Sequence, residues 1–146
     1  MRTATTVLVF AAIGFIGADD PKKDAKPTLK GNWTAVSLKA GGQEAPADEA
    51  KKMKFGFEDA TYTNSSGDDY MEEGDYTTDT SKSPNTIDFD IKKGPDAGKK
   101  QLGIFKIEGD KATLVVALAG STERPKSFKP DDSEQVIMAV IERVKN

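Results

Sequence analysis

Residues Gln101–Ala119, QLGIFKIEGDKATLVVALA, decide the fold class. Gly109-Asp110 sits between two runs rich in β-branched and aliphatic residues, Gln101–Glu108 and Lys111–Ala119. A Gly-Asp pair flanked by such runs is a tight-turn signal, so the stretch reads as a β-hairpin. Working towards the N-terminus, Ile87, Phe89 and Ile91 alternate with Asp88 and Asp90, the period-two pattern of a strand with one buried face. The intervening Gly94-Pro95-Asp96-Ala97-Gly98 is a loop by composition. Gly31–Leu38 alternates with a β-branched and aromatic bias, and Met53, Phe55 and Phe57 alternate with Lys54, Gly56 and Glu58. Ala60–Asn64 reads as a short strand, Asn64-Ser65-Ser66-Gly67 as a turn, and Tyr70–Thr78 as a polar strand carrying Gly74 and Tyr76. Gln135–Val144 closes the chain as an apolar strand. Pro46–Lys52 alone has a helical start, with proline first and carboxylates in the opening turn.

The expectation is an all-β domain of about eight antiparallel strands in an up-and-down meander, with one short helix after the first strand. Closing eight strands into a barrel removes exposed edges, and a two-sheet sandwich is the alternative.

Composition narrows the chemistry. The 146 residues have room for one domain, with 36% hydrophobic and 31% charged residues. There is no cysteine, hence no disulfide, thiolate nucleophile or cysteine-based zinc site. There is no histidine, which removes the commonest general base and transition-metal ligand. The formal net charge of −3 offers no basic field for nucleic acid. The serines lack a histidine partner and no Ser-x-x-Lys motif occurs, so the expectation is a chain without catalytic residues or cofactor.

Residues 1–18 read as a secretory signal. Arg2 supplies a positive start, Val7–Ile16 an apolar run too short to anchor in a bilayer, and Gly17-Ala18 a small-residue cleavage site. Residues 19–28, DDPKKDAKPT, read as a flexible linker, and residues 29–146 as the folded domain. The expected location is secreted or periplasmic, with no stable membrane span after cleavage.

The acidic stretch Asp68, Asp69, Glu72, Glu73 and Asp75 has oxygen ligands of the kind calcium takes, but not the spacing of an EF-hand loop; it reads as a solvated strand and turn. Asp88 and Asp90 could form a carboxylate pair, yet the alternation places them on the solvent side of their strand. Asn32-Trp33-Thr34 and Asn64-Ser65-Ser66 match glycosylation sequons.

Gly31-Asn32-Trp33 at the start of the first strand resembles the Gly-x-Trp opening of lipocalin-type barrels. Further ordered motifs follow: Gly42 and Pro46, Pro84-Asn85-Thr86-Ile87-Asp88, Gly94-Pro95-Asp96-Ala97-Gly98-Lys99, Gly103-Ile104-Phe105, Gly109-Asp110, Arg124-Pro125-Lys126-Ser127-Phe128, and Arg143 near the end. Together, over roughly residues 29–145, they resemble a lipocalin-like small domain family abundant in planctomycete bacteria. The resemblance implies a small barrel, export, a bacterial source in which the sequons carry no sugar, and no set activity. The chain lacks the cysteine pair and the Thr-Asp-Tyr turn of typical lipocalins, so lipocalin ligands are not carried over.

Two site expectations result. If the barrel has a lumen, it can hold a small hydrophobic molecule, with Phe55, Phe57, Tyr62, Tyr76, Phe89 and Phe105 as candidate lining. The competing expectation is that these rings fill the barrel, leaving a structural or protein-interaction domain. The second expectation concerns closure. In a closed meander the start of the first strand lies beside the end of the last, which brings Arg143 to Trp33, with Gly31 permitting close backbone approach. Arg124 is the rival partner for the indole. Pro125 is expected to let Phe128 fold back onto the core.

Overall fold

A computed structural model describes residues 28–68, 70–130 and 135–145. Residues 1–27, on which the expected signal and most of the expected linker fall, lie outside the described residues, as does Asp69. The strands are β1 (Gly31–Ala40), β2 (Gln43–Glu44), β3 (Met53–Phe57), β4 (Thr61–Ser66), β5 (Tyr70–Asp79), β6 (Asn85–Lys93), β7 (Lys100–Glu108), β8 (Lys111–Ala117) and β9 (Val136–Arg143). One short helix, α1 (Ala47–Ala50), packs against β1.

Each strand pairs antiparallel with its neighbour, and β1 pairs with both β3 and β9. The sheet is therefore a closed eight-stranded barrel, with β2 as a two-residue extra strand hydrogen-bonded to the far end of β1. Closure leaves the long strands without free edges. The sandwich alternative is excluded, because one continuous ladder returns to its starting strand. Among the described residues, no helix is long and apolar enough to cross a membrane.

Period two sets which side chains point inward. Trp33, Phe57, Tyr62, Phe89, Phe105 and Ile141 are buried in one cluster inside the barrel. Two irregularities adjust the phase. The β1–β9 register shifts between Ala35 and Ser37, so that Ala35 faces Ile141 and Leu38 faces Ala139. Strict alternation from Trp33 would have turned Leu38 outward; the extra residue turns it into the lumen. A second shift lies between Glu73 and Gly74, opposite Lys93 and Ile91. Gly74 belongs there because a Cβ would collide with the Asp90 carbonyl and press on the Tyr62 ring.

The turn expected at Asn64–Gly67 falls later. β4 runs through Ser66, and Gly67, at φ +56°, makes the turn. Asn64 and Ser65 pair with Glu72 and Met71 on β5, so they extend the ladder.

The connection between β8 and β9 covers the outside of the barrel. Ile104 and Val115 point outward by parity but are buried, as is Pro125. Arg124 anchors this covering segment. Its Nη1 donates to the carbonyls of Gly103 (2.9 Å) and Ile87 (3.2 Å) and lies 2.7 Å from Asp88 Oδ1. Asp88 is therefore not simply a solvated strand residue: it holds the strap in place. Phe128 does not reach the core either. It packs on the outer face, with Lys106 Nζ 5.0 Å above its ring. Lys106 points outward because its odd-numbered neighbours on β7, Gly103 and Phe105, point inward, and the ring follows it.

Candidate functional site

The two ends of the barrel differ. At one end lie the start of β1 and the end of β9, and there Trp33 pairs directly with Arg143. The indole is fully buried, and its Nε1 donates to the Leu29 carbonyl at 2.7 Å. The Arg143 guanidinium lies 4.2 Å from the ring centroid. It also donates to the carbonyls of Lys30 (2.8 Å) and Thr28 (3.1 Å). One planar group thus stacks on the tryptophan and ties down the segment entering β1, a task suited to the fork of donors on arginine. Gly31, at φ +126°, leaves space for it: a Cβ there would sit 3.0 Å from Arg143 Nη1. Arg124 is engaged on the outer wall and does not compete.

The other end is hollow. A cavity of about 360 Å³ occupies the half of the barrel toward the β4–β5 turn and the β6–β7 loop. Its apolar wall includes Leu38, Met53, Phe55, Phe89, Leu114 and Val116, with Ile137 and Ala139 completing it from β9. The floor is aromatic: Tyr62 and Phe89 make an edge contact at 4.7 Å between centroids, and Phe57 lies behind Phe89 at 6.5 Å.

Of the six rings expected to line a lumen, Phe55, Tyr62 and Phe89 border this cavity. The other three lie elsewhere. Phe57 is packed below the floor, in edge contact with Tyr76 at 5.1 Å. Tyr76 and Phe105 border a separate cleft at the closed end, beside Leu29, Lys30 and Asp59. The physical reason is position along the strands: Phe57 ends β3 and Phe105 lies late in β7, both at the Trp33 end. Tyr76 donates to the Glu58 carbonyl, and burial, with the Asp59 and Glu58 charges adding, raises its phenol above the usual value of 10.0.

The cavity also has a polar side that sequence reading did not assign to it. Glu72 is only 4% exposed and faces the lumen. Its Oε1 accepts from the Tyr62 hydroxyl at 2.9 Å and from Asn64 Nδ2 at 3.4 Å. Asn64 Oδ1 is buried and has no hydrogen-bond partner among the described residues. Ser66, Gln101 and Asp96 complete this side, and Gln101 Nε2 donates to the Ala117 carbonyl at 2.9 Å. The acidic stretch is therefore not one solvated strand and turn. Glu72 turns inward while Asp68 and Asp75 are exposed and Glu73 lies 3.9 Å from Lys93. The available signal was parity: Glu72 shares its phase with Gly74 and Tyr76, both inward on β5. Asn64 of the second sequon likewise faces the lumen and is out of reach of a glycosylating enzyme in the folded barrel.

Among the described residues, no group of three or more carboxylates is placed to hold a metal ion. Asp88 and Asp90 stand on the outer wall, Asp90 beside Lys92 at 3.1 Å. Fold and site together define a closed antiparallel barrel, sealed at one end by an arginine–tryptophan stack and hollow at the other. Comparison with family models, curated proteins and solved structures finds no match for the chain.

Proposed function

We propose that this chain is an exported, non-catalytic lipocalin-like barrel that binds one small, largely apolar molecule in its lumen. The observation that carries the reading is the cavity of about 360 Å³. It falls within the range of roughly 300–1,000 Å³ typical of ligand pockets, and it is mainly apolar with a few polar groups on one side. A barrel serving only as a scaffold would gain by filling this space, since voids in a core forfeit packing contacts. The filled half around Trp33 supports stability, and the hollow half supports binding. Export rests on the apolar run of Val7–Ile16 followed by Gly17-Ala18.

Two measurements test the reading. Nile red, a neutral environment-sensitive dye, is expected to bind the folded protein saturably, one per chain. Native mass spectrometry of protein purified from its own host is expected to show a co-purified small molecule. A barrel that binds no dye and carries no such molecule is a structural or interaction domain, and the ligand reading falls. Secretion from a bacterial host is expected to yield a chain beginning at or near Asp19; full-length membrane-bound protein starting at Met1 would contradict cleavage.

A further inference from the structure

The charged groups that border the lumen are already engaged by the protein. Glu72, almost fully buried, accepts from the Tyr62 hydroxyl at 2.9 Å and from Asn64 Nδ2 at 3.4 Å, and takes part in a further interaction besides. Asp96, on the β6–β7 loop at the mouth, lies 3.3 Å from Lys99 Nζ. The Gln101 side-chain amide is turned onto the Ala117 carbonyl. Asn64 Oδ1 meets no donor among the described residues, but it is uncharged and itself buried. Among the described residues, no lysine or arginine borders the cavity.

This arrangement leaves no partner for an ionic head group. An anion entering the lumen meets no cation to pair with, and the Glu72 charge stands in the same low-dielectric space. A cation finds Glu72 holding its own hydrogen bonds and Asp96 held by a lysine, and must shed its water to compete for them. An uncharged molecule bears neither cost, and burial against Leu38, Met53, Phe55 and Leu114 favours it in proportion to its apolar area. Resting on the lumen reading above, we propose that the ligand is uncharged along its whole length, a lipid of the class of long-chain alcohols and esters. Fatty acids and hydrophobic amines, the same apolar body with a charged head, are both selected against.

The test compares decanol, decanoate and decylamine as competitors for Nile red at pH 7, where the first is neutral, the second an anion and the third a cation. Decanol is expected to displace the dye at a concentration on the order of tenfold lower than either ion. The preference of ions for water widens that gap in any apolar pocket, so Glu72→Gln isolates the share that belongs to this lumen. The substitution removes the negative charge and keeps the shape and the acceptor for Tyr62. In it the gap between decanol and decanoate is expected to narrow several-fold, while the gap between decanol and decylamine does not narrow. Dye binding with either ion equal to or better than decanol, or with no displacement by any of the three, overturns the uncharged assignment and leaves the lumen reading standing. So does a decanoate gap that is unchanged in Glu72→Gln, or a narrowing shared by both ions. Failure of the wild-type chain to bind dye removes the lumen reading itself. Should Glu72→Gln not fold or not bind dye, the ranking of the three competitors on the wild-type chain decides alone.

Discussion

Arg143→Ala tests the seal of the barrel. The substitution removes three interactions at once. The stack on Trp33, 4.2 Å from the centroid, is worth about 0.5–2 kcal/mol. The two charge-assisted hydrogen bonds to Lys30 and Thr28 would each be worth about 1.5–3 kcal/mol if buried. Both are solvent-exposed, so about 0.5–1 kcal/mol apiece is the fitting figure. The sum is about 1.5–4 kcal/mol, and the aliphatic stem leaves the indole as well. Trp33 is the sole tryptophan, so its fluorescence reports this end of the barrel alone. In urea unfolding, a domain of this size has a slope of about 1–1.5 kcal/mol/M, so the midpoint should fall by about 2 M. The native emission should also shift to the red as water reaches the ring. Arg143→Lys keeps the charge but not the planar fork, and should recover about a third of the loss. A loss below about 0.5 kcal/mol would refute the reasoning, as would full rescue by lysine.

Gly74→Ala should destabilise the barrel by about 2 kcal/mol or more in the same urea assay, because its Cβ meets the Asp90 carbonyl and the Tyr62 ring; a neutral effect would mean that β5 and β6 can separate at no cost. Tyr62→Phe removes a donor from buried Glu72 and should cost about 1–2 kcal/mol, while leaving Nile red binding in place; loss of dye binding would show that the hydroxyl itself holds the ligand. Arg124→Ala should free the segment over Ile104 and Val115, read as faster amide exchange and proteolysis in residues 118–130; unchanged exchange would mean that Pro125 alone anchors it. Tyr76 binds its proton more tightly folded than unfolded, so the stability it contributes is complete below its usual value of 10.0 and is lost as pH rises above that. Lys30, raised by its hydrogen bond to and the charge of Asp59, acts in the same direction above 10.5. Stability should therefore decline above pH 10, less steeply in Tyr76→Phe, and an identical decline in that variant would assign the effect elsewhere.

Much of this molecule is written in short-range pattern. The alternation of Ile87, Phe89 and Ile91, and Gly109-Asp110 between two aliphatic runs, specify strands and a hairpin, because period two and a left-handed turn residue are local properties. The antiparallel meander follows from short connections, and once the meander closes, so does the meeting of Trp33 with Arg143. The lumen was not legible in the same way. Period two divides a strand into two faces but does not say which face of a polar strand is inside, so Glu72 read as part of a solvated strand and Asn64 as part of a turn. The phase change between Ala35 and Ser37 that turns Leu38 inward depends on the pairing of β1 with β9, about a hundred residues away along the chain. The depth of each aromatic ring depends on barrel height: Phe55 and Phe57 share a strand and a face, yet one borders the cavity and the other packs beneath its floor. The cavity is what remains after side chains from all eight barrel strands have met. No stretch of sequence contains that difference, and only the closed barrel settles it.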